Sequence, residues 1–120
     1  MKNRPWIRIV LSAALVCAGM SAGAQSFPTK PITMVVPFPP GGVADTVGRP
    51  VAEAMSRHLK QSIVVENKGG AGGGIGMAQV AKSKADGYTV LMSLSSLVVL
   101  PEADKILQRP PMFQVNQLKA

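Results

Sequence analysis

The chain is short of the residues on which most enzyme and metal chemistry depends. Its 120 residues include one cysteine, Cys17, and one histidine, His58. Cys17 falls within a segment expected to be removed, so the rest can form no disulfide, thiolate metal site or Cys–His pair. The six acids, Asp45, Glu53, Glu66, Asp86, Glu102 and Asp104, are dispersed, with neither metal-ligand spacing nor an acid–base pairing. No serine has the G-x-S-x-G context of a nucleophile elbow. Aromatics are scarce: beyond residue 24 there are only Phe27, Phe38, Tyr88 and Phe113, too few to stack bases. The basic residues are scattered rather than clustered, which argues against nucleic acid as a partner. No cofactor is implied, and the residue types do not describe an enzyme.

The formal net charge is +7, with Lys2, Arg4 and Arg8 contributing three of the thirteen basic residues. The remaining mild basic excess suits a small anion. After Arg8 an apolar run spans Ile9 to Val16, and small residues end in Ala22-Gly23-Ala24. A basic start, a short apolar stretch and an A-x-A site are the parts of a secretory signal peptide, expected over residues 1–24 with cleavage before Gln25. A bilayer needs about 20 continuous apolar residues, and Ser12, Cys17, Gly19 and Ser21 thin this run too early. Export to the periplasm is the expected fate.

Residues 32–36, Ile-Thr-Met-Val-Val, lie between Pro31 and Pro37 and read as a buried parallel strand. Pro37 to Gly42 is a loop. From there Val43, Val47, Val51, Met55 and Leu59 recur at i, i+4, predicting an amphipathic helix with those residues on its buried stripe. Asp45 is expected as N-cap or first-turn acid. Pro50 predicts a kink or a later start. Residues 62–66 repeat the strand pattern, and Asn67 to Gly76 holds six glycines. A second helix is expected from about Ile75 to Ser83, burying Ile75 and Ala78. Asp86-Gly87 signals a turn, and Thr89 to Met92 a third strand. Leu94 to Leu100 is apolar, Pro101 is expected to stop it, and residues 101–120 read as an irregular tail. Crossovers of this length with a helix inside give parallel strands, hence an α/β sheet with its glycine loops on one edge.

Two loops carry the functional expectation: Pro39-Pro-Gly-Gly42 and Gly69-Gly-Ala-Gly-Gly-Gly-Ile-Gly76. Glycines let an anion approach backbone N–H groups, and a helix N-terminus behind each loop adds unpaired donors. Carboxylate and phosphate both satisfy such a site. A Walker loop would need Gly-Lys-Ser/Thr at the helix start, where Met77 follows Gly76, and the G-x-G-x-x-G spacing matches neither loop. A phosphate- or nucleotide-binding enzyme fragment is therefore the alternative reading. Glu66 and Asn67 either line the site or orient the loop. Ser93, Ser95 and Ser96, just past the third strand, either contact a ligand or cap a helix.

The blocks Val35-Val36-Pro37-Phe38-Pro39-Pro40-Gly41-Gly42 with Asp45, then Val64-Val65-Glu66-Asn67 with Gly70-Ala71-Gly72-Gly73, then Ala85-Asp86-Gly87-Tyr88-Thr89, occur in order. Together they resemble the Bug family, the substrate-binding proteins of tripartite tricarboxylate transporters. The resemblance implies a two-lobed, periplasmic-binding-protein-like (type II) fold that clamps a small carboxylate and delivers it to the membrane subunits of the transporter. It places ligand contacts at Pro40, Gly41, Gly42 and Val43, at Ala71, Gly72 and Gly73, and at Ser93 and Ser95. Members of the family are far longer. Residues 25–100 are accordingly expected to form a parallel three-stranded βαβαβ portion of lobe 1, truncated and unable to close on a ligand.

Overall fold

The computed structural model describes residues 26–118. The expected signal segment lies outside them. The elements run β1 (Ile32–Val36), α1 (Val43–Leu59), β2 (Ile63–Asn67), a 3-10 turn (Ala71–Gly73), α2 (Gly74–Ala81), β3 (Thr89–Leu91), α3 (Ser96–Ile106) and a closing 3-10 turn (Val115–Gln117). The sheet order is β2-β1-β3, and both pairings are parallel. The parallel three-stranded sheet alternating with helices is the architecture read from the sequence.

The central strand explains its own sequence. Ile32, Met34, Val35 and Val36 are all buried, as a strand with neighbours on both sides and cover on both faces requires. Met34 and Val36 share one face and pack with Ala44 and Ala52 of α1. Val35 points the other way, where α2 packs over β1 and β3. Lys68 N–H to the Val36 carbonyl, 2.8 Å, and Met92 N–H to the Val35 carbonyl, 2.9 Å, carry the pairing one residue past each flanking strand.

The buried stripe of α1 is not the valine stripe. Val43, Val47 and Val51 are 71, 48 and 39% exposed, while Ala44, Asp45, Gly48 and Ala52 are buried. The reason is distance. A Cβ on Gly48 would lie 3.3 Å from Met92 Cγ and 3.4 Å from Val36 Cγ2, so the large side chains come from the sheet and the helix supplies small ones. Pro50 sits inside the helix, which starts at Val43 rather than later. Pro50 is exposed, so the carbonyl it leaves without a donor can turn to water. Lys60, at φ 53°, ends the helix in the left-handed region.

The same reversal recurs in α2. Ile75 is 50% exposed and Ala78 half-buried, and the inward positions are Gly74, Gly76 and Met77. Asp86-Gly87 does form the turn: Gly87 has φ 81° and Asp86 Oδ1 accepts the Tyr88 N–H at 3.0 Å. Pro101 does not stop the apolar segment, since α3 runs through it. A proline lacks one donor, but its fixed φ is compatible with a helix. The helix ends instead at Ile106, ahead of the left-handed Gln108. Gln108, φ 50°, donates to the Lys105 carbonyl and Arg109 N–H to the Asp104 carbonyl, the two bonds of a Schellman stop. Among the described residues, no helix is long and apolar enough to cross a membrane.

Candidate functional site

Because the strands are parallel, the segments following β1, β2 and β3 leave from the same rim of the sheet. That rim gathers Pro40 to Val43, Ala71 to Gly73, and Ser93 with Ser95. The connection after β1 passes over one face and that after β2 over the other, the arrangement that opens a crevice at the C-terminal rim of an α/β sheet.

The first and second loops touch. A Cβ on Gly69 would stand 3.4 Å from Pro39 Cδ, and one on Gly73 3.2 Å from the Pro37 carbonyl oxygen. Asn67 bridges them. Its Nδ2 donates to the Phe38 carbonyl at 3.1 Å and to Asp45 Oδ1 at 3.0 Å. The Asp45 carboxylate, only 4% exposed, is satisfied on every side. Its Oδ2 accepts from Arg49 Nε at 3.0 Å and from Gly41 N–H at 2.9 Å, and Arg49 Nη2 also donates to Asn67 Oδ1 at 3.2 Å. The Arg49 guanidinium, then the Gly41 amide and the Asn67 side chain, hold the Asp45 carboxyl down to about 2, against an ordinary 3.8.

This network uses some of the loop donors and leaves others without a partner among the described residues. Gly41 N–H goes to Asp45, and Gly42 N–H to the Pro39 carbonyl at 3.3 Å. Val43, Ala44 and Asp45 N–H, in the first turn of α1, meet no acceptor among the described residues. In the second loop Gly73 N–H bonds the Gly70 carbonyl at 2.9 Å, whereas Ala71 and Gly72 N–H meet none among the described residues. Ala71, Gly72 and Gly73 have φ of 48, 64 and 98°, the left-handed turn that the glycine run makes possible. The rim thus offers unpaired N–H groups from two adjoining helix starts, and their partial positive charge attracts an anionic oxygen group.

Ser93 and Ser95 share the rim but make no polar contact with either loop among the described residues. Ser93 Oγ reaches the Leu94 carbonyl at 3.4 Å, and Ser95 precedes α3 without capping it through its side chain. Ser96 Oγ is buried with no partner among the described residues. A cavity of about 490 Å³ lies behind the second loop, with Ala71 and Gly72 on one side and Leu100, Arg109, Met112 and Phe113 on the other. Among the described residues, no group of three His, Cys, Asp or Glu side chains could hold a metal ion.

Arg49 is the residue the sequence reading passed over. Its signal was there: Asp45 and Arg49 stand at i, i+4 on a helix, a spacing at which opposite charges meet. Asn67 was read two ways, and its side chain joins the loops.

Two adjoining glycine loops at the C-terminal rim of a parallel sheet stand where ligands of open α/β sheets bind. Residues 47–118 match the family described as tripartite tricarboxylate transporter family receptor. The chain belongs to that family, whose members are receptors for transport and not enzymes. It is 47% identical over 96 residues to the protein BugT of Bordetella pertussis, covering 78% of this chain and 29% of that one. A Rhodopseudomonas palustris protein solved with adipate is 41% identical, with a TM-score of 0.58 over 59% of this chain and 24% of that one. MatC of the same organism, solved with bound malate, is 43% identical, with a TM-score of 0.53 over 54% of this chain and 22% of that one. The chain spans 28 and 29% of the length of the first two curated relatives it matches.

Proposed function

We propose that this chain recognises a small carboxylate in the periplasm, on behalf of the membrane subunits of a tripartite tricarboxylate transporter. One observation supports the reading most directly. Two loops joined through Asp45 and Asn67 leave the N–H groups of Val43, Ala71 and Gly72 on a single rim without acceptors among the described residues. Their backbone dipoles suit the oxygens of a carboxylate, and the two relatives solved with malate and adipate hold dicarboxylates. Pro40, Gly41 and Gly42 shape the first loop, Val43 supplies a donor, Ala71, Gly72 and Gly73 form the second loop, and Ser93 and Ser95 reach the ligand from beyond β3. Residues 1–24 direct export and are removed.

The test is isothermal titration of the purified chain with malate, adipate, citrate and glutamate in one series, and with ATP and NAD in another. Heat with a carboxylate and none with the nucleotides is the expected result. Heat with the nucleotides alone would replace this reading with a phosphate site. N-terminal sequencing of the periplasmic form checks the export step, with Gln25 expected as its first residue.

A further inference from the structure

We propose that Asp45 is a positioning residue that couples the two glycine loops, so that the donors of one are held in place by the other. The inference rests on the carboxylate reading above and assigns Asp45 no contact with the ligand.

Gly41 carries the case. Its φ is 80°, yet a Cβ placed on it would meet nothing within 4 Å. Side-chain packing therefore does not impose its conformation. The turn closed by Gly42 N–H on the Pro39 carbonyl sets that φ, and the hydrogen bond from Gly41 N–H to Asp45 Oδ2 ties the turn to α1. The next residues, Gly42 and Val43, lead directly into the unpaired N–H groups of α1, so their direction follows from where Gly41 is held.

The other carboxylate oxygen faces the second loop. Asn67 is the last residue of β2, immediately before that loop, and it uses both amide hydrogens and its carbonyl on Phe38, Asp45 and Arg49. Rotating its amide by half a turn would set its oxygen against two acceptors and its nitrogen against a guanidinium, so one orientation is fixed. Asp45, Arg49 and Asn67 thus form a closed ring of side chains joining the start of α1 to the end of β2. An amide at position 45 keeps a single acceptor oxygen, which can serve either Gly41 and Arg49 or Asn67 but not both, and its NH2 group then faces the donors on the other side. A buried ion pair serving stability alone would not require Gly41 to be part of it.

The experiment is amide hydrogen exchange by NMR on the full chain and its Asp45→Asn variant, followed by malate titration of both. The expected result is at least tenfold faster exchange at Gly41 and also at Lys68 and Gly73, whose N–H groups are all hydrogen-bonded. The Thr29 and Tyr88 amides, at the opposite rim, should stay within twofold, and malate affinity should fall at least tenfold. Acceleration confined to Gly41 overturns the coupling. Uniform acceleration across the chain overturns positioning in favour of general stability. Should Asp45→Asn not fold, Asn67→Ser is measured instead, with the same amides expected to respond. If the exchange pattern holds while the wild-type chain takes up no carboxylate, the coupling stands and the carboxylate reading fails.

Discussion

Gly76 lies so close to Pro37 that a Cβ on it would come 2.8 Å from Pro37 Cβ and 2.7 Å from the Lys68 carbonyl oxygen. Part of the obstruction is backbone, which cannot swing aside. Gly76→Ala should therefore destabilise the fold by about 1–3 kcal/mol despite the better helix propensity of alanine. Urea unfolding followed by circular dichroism measures it, and an unchanged midpoint would show that α2 can lift off the first loop freely.

Asp45 makes acid stability a test of the loop network. A carboxyl whose folded value is about 2, below its ordinary 3.8, favours the folded state at pH above the ordinary value. That advantage is lost as the pH falls from near 4 through 2. Urea midpoints measured across this window should drop for the wild-type chain. The Asp45→Asn variant should start lower and fall less. Parallel curves would contradict the contacts of Asp45.

The two faces of α1 should answer substitution in opposite ways. Val47→Thr and Val51→Thr sit on the exposed stripe and are expected to change stability by no more than about 0.5 kcal/mol. Gly48→Val pushes branched carbons toward Met92 and Val36, and should cost about 1–3 kcal/mol. Equal losses at Val47 and Gly48 would return the valines to the core.

This contrast also marks how far the sequence could be read. The strands were legible because Pro31 and Pro37 bracket β1 and because apolar β-branched runs leave few alternatives. β2 lies one residue later than expected, at Ile63–Asn67, and the glycine loops fall where the sequence put them. The helix faces misled, since hydrophobicity identifies what prefers burial but not which side can approach a sheet closely. Gly48 and Gly76 settle that through the side chain they lack. The bond from Gly41 to Asp45 was likewise out of reach, because a first-turn acid serves equally as a dipole partner or as an acceptor for the loop before it. Whether a helix passes Pro101 depends on packing from segments distant in sequence.

At the end of α3, Gln108 occupies the left-handed position of the stop motif, where glycine is the unstrained choice. Gln108→Gly should stabilise the chain by up to about 1 kcal/mol, and Gln108→Val should destabilise it by a similar amount or more. Thermal melts of the pair give the comparison; a lower melting temperature for the glycine variant would mean that the Gln108 side chain makes a contribution of its own.

The strand at the middle of the sheet is the first of the three to leave the ribosome, and both of its neighbours come later in the chain. It has nothing to pair with until β2 exists, and joining it to β2 and then β3 means closing two long stretches of chain. Such an order makes assembly slow, since non-local pairing must bear its entropy cost before any contact offsets it. The sheet is therefore completed only when the last of its three strands, β3, has been made.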